Sequence, residues 1–125
     1  MNIYFPHSKQ LEYEDYYASI RKSDFFTSHT CVLPYEKNNT PENSKPMIKK
    51  ADLIVAEVSY PGTGLGIELG WAEALGKKIV CVYMDGLSVA RSLSIISNDF
   101  IVYKDFEDLV QKLQLFLKNY HKKSV

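Results

Sequence analysis

Two nearly unbroken apolar runs, Asp52 to Val58 (DLIVAEV) and Lys78 to Tyr83 (KIVCVY), stand a little more than one helix length apart in the chain. A strand with one wet face alternates apolar and polar residues, so a run without alternation has to be covered on both faces, as in the interior of a parallel sheet. Between the runs, Ser59-Tyr60-Pro61-Gly62-Thr63-Gly64 breaks the first strand. Leu65 to Leu75 then takes up helical spacing and closes at Gly76, a residue type suited to a helix C-terminus. The result is a strand, a turn, a helix and a parallel strand.

The flanking sequence extends this unit. Asn2 to Phe5 predicts a short first strand stopped by Pro6. From Lys9 to Lys22 the apolar residues Tyr13, Tyr16, Tyr17 and Ile20 recur at spacings of three and four, the face of an amphipathic helix. Thr30 to Leu33 reads as a second strand. Pro34 to Pro46 is a polar, Asn- and Pro-rich loop, followed by a helical turn over Met47 to Lys50. A turn or helix is expected over Val89 to Ile96 and a last strand over Phe100 to Tyr103. Asp105 then caps a helix whose apolar residues Phe106, Leu109, Val110, Leu113, Phe116, Leu117 and Tyr120 give the clearest 3.6-residue period in the chain. Strands alternating with helices predict a doubly wound α/β fold, a flavodoxin-like or Rossmann-like three-layer sandwich with about five parallel strands. Residues 1–125 are expected to form a single domain. Ligands of such sheets bind beyond the carboxyl ends of the strands, so Phe5 to Lys9, Ser59 to Glu68 and Met84 to Ser94 should meet there.

Fifteen basic residues balance fifteen acidic ones, which leaves no net field to draw the protein to a nucleic acid polymer or an anionic membrane. A small molecule is the expected partner. Cys31 and Cys81 sit in apolar runs and read as reduced core residues. His29 and His121 have no partners at metal spacing, so neither a metal nor another cofactor is expected. The first residues lack the features of a signal peptide, and no apolar run approaches the ~18 residues of a membrane span. A cytoplasmic location follows as an expectation.

The stretch that carries chemistry is Pro61-Gly62-Thr63-Gly64-Leu65-Gly66-Ile67-Glu68. Glycines 62, 64 and 66 allow a sharp turn and a close ligand approach, and they place Glu68 in the first turn of the next helix, where the helix dipole favours a carboxylate. Two readings of Glu68 stand at this point. One is a charge that merely stabilises its own helix. The other is an ionised nucleophile for an anomeric carbon, working by the retaining route through a glycosyl ester. A dinucleotide fingerprint fails, because its third glycine position falls on Leu69, although Asp85 lies near the spacing of a ribose-binding acid.

Ile3-Tyr4-Phe5 with Ser8, Ala51-Asp52 with Val55-Ala56-Glu57-Val58, Gly64-x-Gly66-x-Glu68-Leu69-Gly70, and Gly76-Lys77 together resemble the nucleoside 2-deoxyribosyltransferase family, and by length its 2'-deoxynucleoside 5'-phosphate N-hydrolase branch. The resemblance implies cleavage of the N-glycosidic bond of nucleosides or nucleoside 5'-monophosphates, by hydrolysis or base transfer. It implies Glu68 as nucleophile and Tyr4 as the tyrosine against its carboxylate. Substrate contacts would come from the loop around Ser8, flanked by His7 and Lys9, and from Gly62, Thr63, Gly64 and Gly66. Ser94 would be lent to the site of a neighbouring subunit, which implies a homodimer. Three departures accompany the match. The family's acid before the Ala-Asp pair is replaced by Asn43-Ser44-Lys45. Its Ser or Asp six residues before the nucleophile is Gly62. Its Gly-Ser-x-Arg loop is His7-Ser8-Lys9-Gln10, and a lysine cannot reproduce the bidentate fork of arginine.

Other residues admit paired readings. His7 is a proton donor at the crevice or a solvated loop histidine. Glu57 forms an acid pair with Glu68 or is a paired structural carboxylate, and its apolar neighbours favour the second. Glu36 and Glu42 could supply the missing acid. Tyr13, Tyr16, Tyr17, Phe25 and Phe26 serve base stacking or, more in keeping with a helix face, the core or a subunit contact; Trp71 and Leu75 suit packing of the helix that bears Glu68 or a subunit contact. The competing function is a nucleotide-binding or regulatory module that kept the fold but lost turnover, and a nicotinamide-type or other ribosyl substrate is a third reading.

Overall fold

A computed structural model describes residues 1–35 and 43–123, the last three as backbone only. Its elements run β1 (Asn2–Tyr4), α1 (Tyr13–Lys22), α2 (Asp24–Ser28), β2 (Thr30–Val32), α3 (Lys45–Lys50), β3 (Leu53–Glu57), α4 (Thr63–Ala74), β4 (Lys78–Met84), α5 (Leu93–Ile96), β5 (Asp99–Tyr103) and α6 (Phe106–Lys123). The five strands pair in parallel in the order β2-β1-β3-β4-β5. This is the doubly wound arrangement, with its topological switch between β1 and β3.

Every residue of β3 is buried, as the unbroken apolar run requires. Successive side chains of a strand point to opposite faces. Ile3, Phe5, Leu53 and Val55 therefore join a core beneath α1 and α6 with Tyr16, Tyr17, Ile20, Leu109, Leu113 and Leu117. Tyr4, Ile54, Ala56 and Val58 join the opposite core with Ile48, Leu65, Leu69 and Ala72 of α3 and α4. Burying each large aliphatic chain contributes about 1.5–3 kcal/mol. Asp105 caps α6 as its position suggests, its Oδ1 accepting from the Asp108 amide at 2.8 Å. Both cysteines are free thiols, and burial pushes each up to about 11, which keeps them protonated and inert.

The elements differ from the sequence reading in three places. The first helix starts at Tyr13 rather than Lys9, because the Leu11 amide bonds the Ser8 carbonyl in a turn at 3.2 Å; a separate short α2 follows it. The helical turn expected from Met47 begins at Lys45, with Pro46 in the first turn, where its missing N–H costs nothing. Most important, α4 begins at Thr63, not Leu65, and no acidic residue lies in its first turn. Gly64 and Gly66 are inside the helix rather than in a turn before it. Leu65, Leu69 and Ala72 pack on the sheet from one face, and that tertiary burial overrides the low helix propensity of glycine.

Two glycines of this region behave oppositely on substitution. Gly76, at φ +71°, ends α4 in the left-handed region, whereas Gly70 is helical, and a Cβ at either would meet nothing within 4 Å. Gly76→Ala is expected to lower stability by about 1–2 kcal/mol through backbone strain alone, and Gly70→Ala to raise it by about 0.5–1 kcal/mol, both read from urea midpoints.

Candidate functional site

The loops leaving β1 and β3 meet at the switch point. The Ser8 hydroxyl donates to the Pro61 carbonyl at 3.1 Å, and the Glu57 amide donates to the Pro6 carbonyl at 3.0 Å. A side chain at Gly62 would be crowded by this approach: its φ of −165° suits any residue, yet a Cβ there would lie 3.1 Å from Ser8 Oγ and 3.3 Å from Ser8 Cβ.

Strand alternation turns Tyr4 toward the α4 layer, and its hydroxyl donates to Glu68 Oε2 at 2.6 Å. Glu68 is partly exposed, and among the described residues no cation pairs with it. It stands in the second turn of α4, so the expected first-turn dipole effect falls away; what holds the carboxylate is the tyrosine donor. Helical side chains lean toward the N-terminus, which sets Glu68 over the turn holding Gly64. A Cβ at Gly64 or Gly66 would meet nothing within 4 Å. The helix start beside the carboxylate is exposed at Gly62, Thr63, Gly64 and Gly66. Burial above all, and next the charge of Glu68, push the Tyr4 hydroxyl far above its ordinary range, while a side-chain hydrogen bond from Ser44 pulls the other way. Tyr4 therefore remains a protonated donor.

Glu57 lies elsewhere. The parity that sends Ala56 and Val58 toward α4 sends Glu57 to the other layer, where it is buried against Tyr103 and Ser59. A Glu57–Glu68 acid pair is excluded by that alternation, and the structural reading of Glu57 is the one observed.

His7 is neither solvated nor open to the crevice. It is 2% exposed, ringed by Tyr13, Tyr16, Tyr17 and Tyr35. Its Nδ1 lies 2.8 Å from the Ser8 carbonyl, which can only accept, so Nδ1 carries the proton and Nε2 accepts from the Tyr17 hydroxyl at 2.7 Å. The ring locks the loop that carries Ser8 onto α1. Lys9 is exposed beside it. Ser94 is exposed on α5, its hydroxyl donating to the Arg91 carbonyl at 2.8 Å, so within one chain it serves its own turn.

In the Asn43-Ser44-Lys45 stretch, Asn43 accepts from the Lys45 amide through Oδ1 at 3.1 Å and thereby supports the start of α3. Glu36 and Glu42 lie outside the described residues, as does the side chain of His121. Tyr16, Tyr17 and Phe25 are core residues, in keeping with a helix face, and Trp71 is partly buried with the Lys45 ammonium 5.0 Å from its ring centre. Sequence reading overlooked Tyr35, whose ring lies 4.9 Å from that of His7 and whose hydroxyl is pushed up by burial and then by the charge of Glu68. An aromatic residue just beyond the carboxyl end of a strand was the available signal. A groove of about 580 Å³ between α1 and α6, lined by Ser19, Lys22, Asp24 and Gln111 among others, lies across the sheet and holds none of these groups.

Comparison with known proteins covers most of the chain, Glu68 included. A family model described as nucleoside 2-deoxyribosyltransferase matches residues 28–112. A Thermofilum pendens protein, provisionally named 2'-deoxynucleoside 5'-phosphate N-hydrolase 1, is 30% identical over 95 residues, which cover 69% of this chain and 66% of that one. A mouse 5-hydroxymethyl-dUMP N-hydrolase is 48% identical over 42 residues, covering 34% of this chain and 24% of its own. The chain thus aligns with just under two thirds of one curated relative and about a quarter of the other. The solved structure of a Clostridium botulinum CMP N-glycosidase superposes with a TM-score of 0.72 at 24% identity, over 94% of this chain and 100% of that one, a likeness of fold.

Burial holds the His7 pKa below its ordinary 6.5, against a smaller opposite pull from the Ser8 carbonyl. The unfolded chain therefore takes up this proton first, so the stability His7 contributes is complete above about pH 6.5 and is lost as pH falls below it. Glu57, raised by burial, acts in the opposite sense in the acid range. The difference between wild type and His7→Gln in urea midpoints from pH 7.5 to 5 isolates the histidine: the variant should lose less stability on acidification.

Proposed function

The chain belongs to the nucleoside 2-deoxyribosyltransferase family, and on that footing we propose that it cleaves the N-glycosidic bond of nucleosides or nucleoside 5'-monophosphates with Glu68 as nucleophile. The observation that carries the reading is the Tyr4–Glu68 hydrogen bond of 2.6 Å on a partly exposed carboxylate beside an exposed, glycine-rich helix start. A Glu68 oxygen attacks the sugar C1' and the C1'–N bond breaks; the base leaves with the bonding electrons and takes up a proton. Water then opens the glycosyl ester, giving the free sugar and restoring the carboxylate. Transfer to a second base would use the same ester. The names of the relatives, both N-hydrolases, favour water as acceptor and a 5'-phosphate on the substrate.

Tyr4 orients the attacking carboxylate and, held protonated, stabilises the charge restored when the ester opens. Gly62, Thr63, Gly64 and Gly66 admit the sugar without side chains in the way, apart from the Thr63 hydroxyl. Ser8 and Lys9 border the phosphate end, with His7 as the buried support of that loop instead of a direct ligand. A homodimer would bring Ser94 to the partner's site, in keeping with the exposed apolar residues Ile67 and Ile95, 49% and 81% accessible, on the neighbouring α4 and α5. A sedimentation velocity experiment is expected to give a species of twice the chain mass.

The alternative, a binding module without turnover, draws on the departures at Asn43-Ser44-Lys45 and in the His7-Ser8-Lys9-Gln10 loop, which lacks the arginine. Wild type and Glu68→Gln, incubated with a panel of nucleosides and monophosphates and followed by chromatography of the free base, separate the two. Loss of one essential catalytic group is expected to cut base release by Glu68→Gln by about 10³-fold or more, and Tyr4→Phe by about 10-fold, with binding retained in both. Equal release by wild type and Glu68→Gln would remove the carboxylate from the reaction, and release by neither would favour the module.

A further inference from the structure

Glu57 is a carboxylate 1% exposed at the end of β3, on the face of the sheet away from Glu68, and the proposed reaction does not use it. Its bonding is unusually complete. Oε1 accepts from the Ser59 amide at 2.7 Å, and Oε2 accepts from the Ser59 hydroxyl at 2.7 Å and from the Tyr103 hydroxyl. Ser59 Oγ in turn accepts from the Met84 amide at 2.9 Å. One carboxylate and one hydroxyl thereby fasten the carboxyl ends of β3, β4 and β5 together.

The backbone of Glu57 faces the other way, its amide bonded to the Pro6 carbonyl just beyond β1. That strand carries Tyr4. The side chain of Glu57, through Ser59, holds the segment Ser59 to Gly62 from which α4 departs, and α4 carries Glu68. The two members of the Tyr4–Glu68 pair are 64 residues apart in sequence, and Glu57 is tied to the supports of both.

We infer that Glu57 and Ser59 are positioning residues, which keep Glu68 in register with Tyr4 by fixing where α4 leaves the sheet; this rests on the proposed role of Glu68. The geometry needs a group that only accepts. All three donors point at the carboxylate, so an amide in its place would set an N–H₂ against at least one of them. Burial of Glu57 is tolerable because each donor returns part of the lost hydration. A purely structural role would cost stability; a positioning role acts on turnover, because small displacements of a reacting group cost rate more than binding.

Hydrogen exchange on the whole chain tests this without any assumption about substrate. In wild type, the Ser59 and Met84 amides should be protected to the same degree as those of Val55 and Val82; rapid exchange at both would overturn the inference. In Ser59→Ala, exchange over residues 59–66 should accelerate about 10-fold or more while Ile54 to Ala56 and Val80 to Val82 keep their protection, and Ser59→Thr, which retains the hydroxyl, should match wild type. Uniform acceleration throughout the sheet, or no change over 59–66, would overturn it. With whichever nucleoside or monophosphate wild type cleaves, Ser59→Ala and Glu57→Gln should lower kcat about 10- to 100-fold with KM within about twofold, the cost of a misplaced reacting group, and Ser59→Thr should recover most of it. A rise in KM at constant kcat would overturn the positioning role. Absence of base release by wild type would refute the proposed reaction while leaving the exchange result to decide whether the network holds the segment.

Discussion

The hydrogen bond between Tyr4 and Glu68 joins the second layer of the sandwich to the sheet beside an exposed, glycine-rich helix start, and most of the surrounding architecture serves to make it possible. Tyr4 is buried on a three-residue strand inside the sheet, between β2 and β3, where only strand parity decides which layer its hydroxyl reaches. A hydroxyl placed there has to find an acceptor or lose the free energy of its hydration. Glu68 supplies that acceptor, and the hydroxyl in turn holds the carboxylate in place of the helix dipole that its second-turn position no longer offers.

The same parity divides the acidic residues of the carboxyl edge into two roles. Glu57, one layer away, is enclosed by the Ser59 amide and hydroxyl and the Tyr103 hydroxyl; Glu68, on the helix side, is partly exposed and accepts from the Tyr4 hydroxyl. Burial raises the pKa of Glu57, while its hydrogen bonds pull it down. A carboxylate enclosed by three donors has little capacity left to attack anything, whereas one that is partly exposed retains it. The contrast is one of environment and not of residue type.

Family membership and the departures from the family pattern concern different parts of this site. The Gly-rich start of α4, Glu68 and Tyr4 form a geometrically coherent unit. The flanking positions differ from the pattern the resemblance implies: Gly62 lets Ser8 pack against the helix start, Gln10 falls where that pattern has an arginine, and Asn43 supports the start of α3. His7 and its tyrosine ring bind the Ser8 loop to α1, a packing solution for the segment where the family's arginine loop lies.

By itself the sequence determined the layers and the order of the elements, because unbroken apolar runs at β3 and β4 and the 3.6-residue period of α6 can be buried in few ways. It also determined Glu68 and Tyr4 as candidates, through the motifs around them. Their pairing was decided only by the tertiary structure, since residues far apart in sequence meet through strand register and helix packing, which no local pattern encodes. The start of α4 was likewise settled by packing: three residues buried on the sheet outweigh two glycines that locally favour a turn. The burial of His7 and the place of Tyr35 were decided the same way, because a loop residue has no periodicity to show which face it will find, and only the closing of α1 over the end of β1 gives it one.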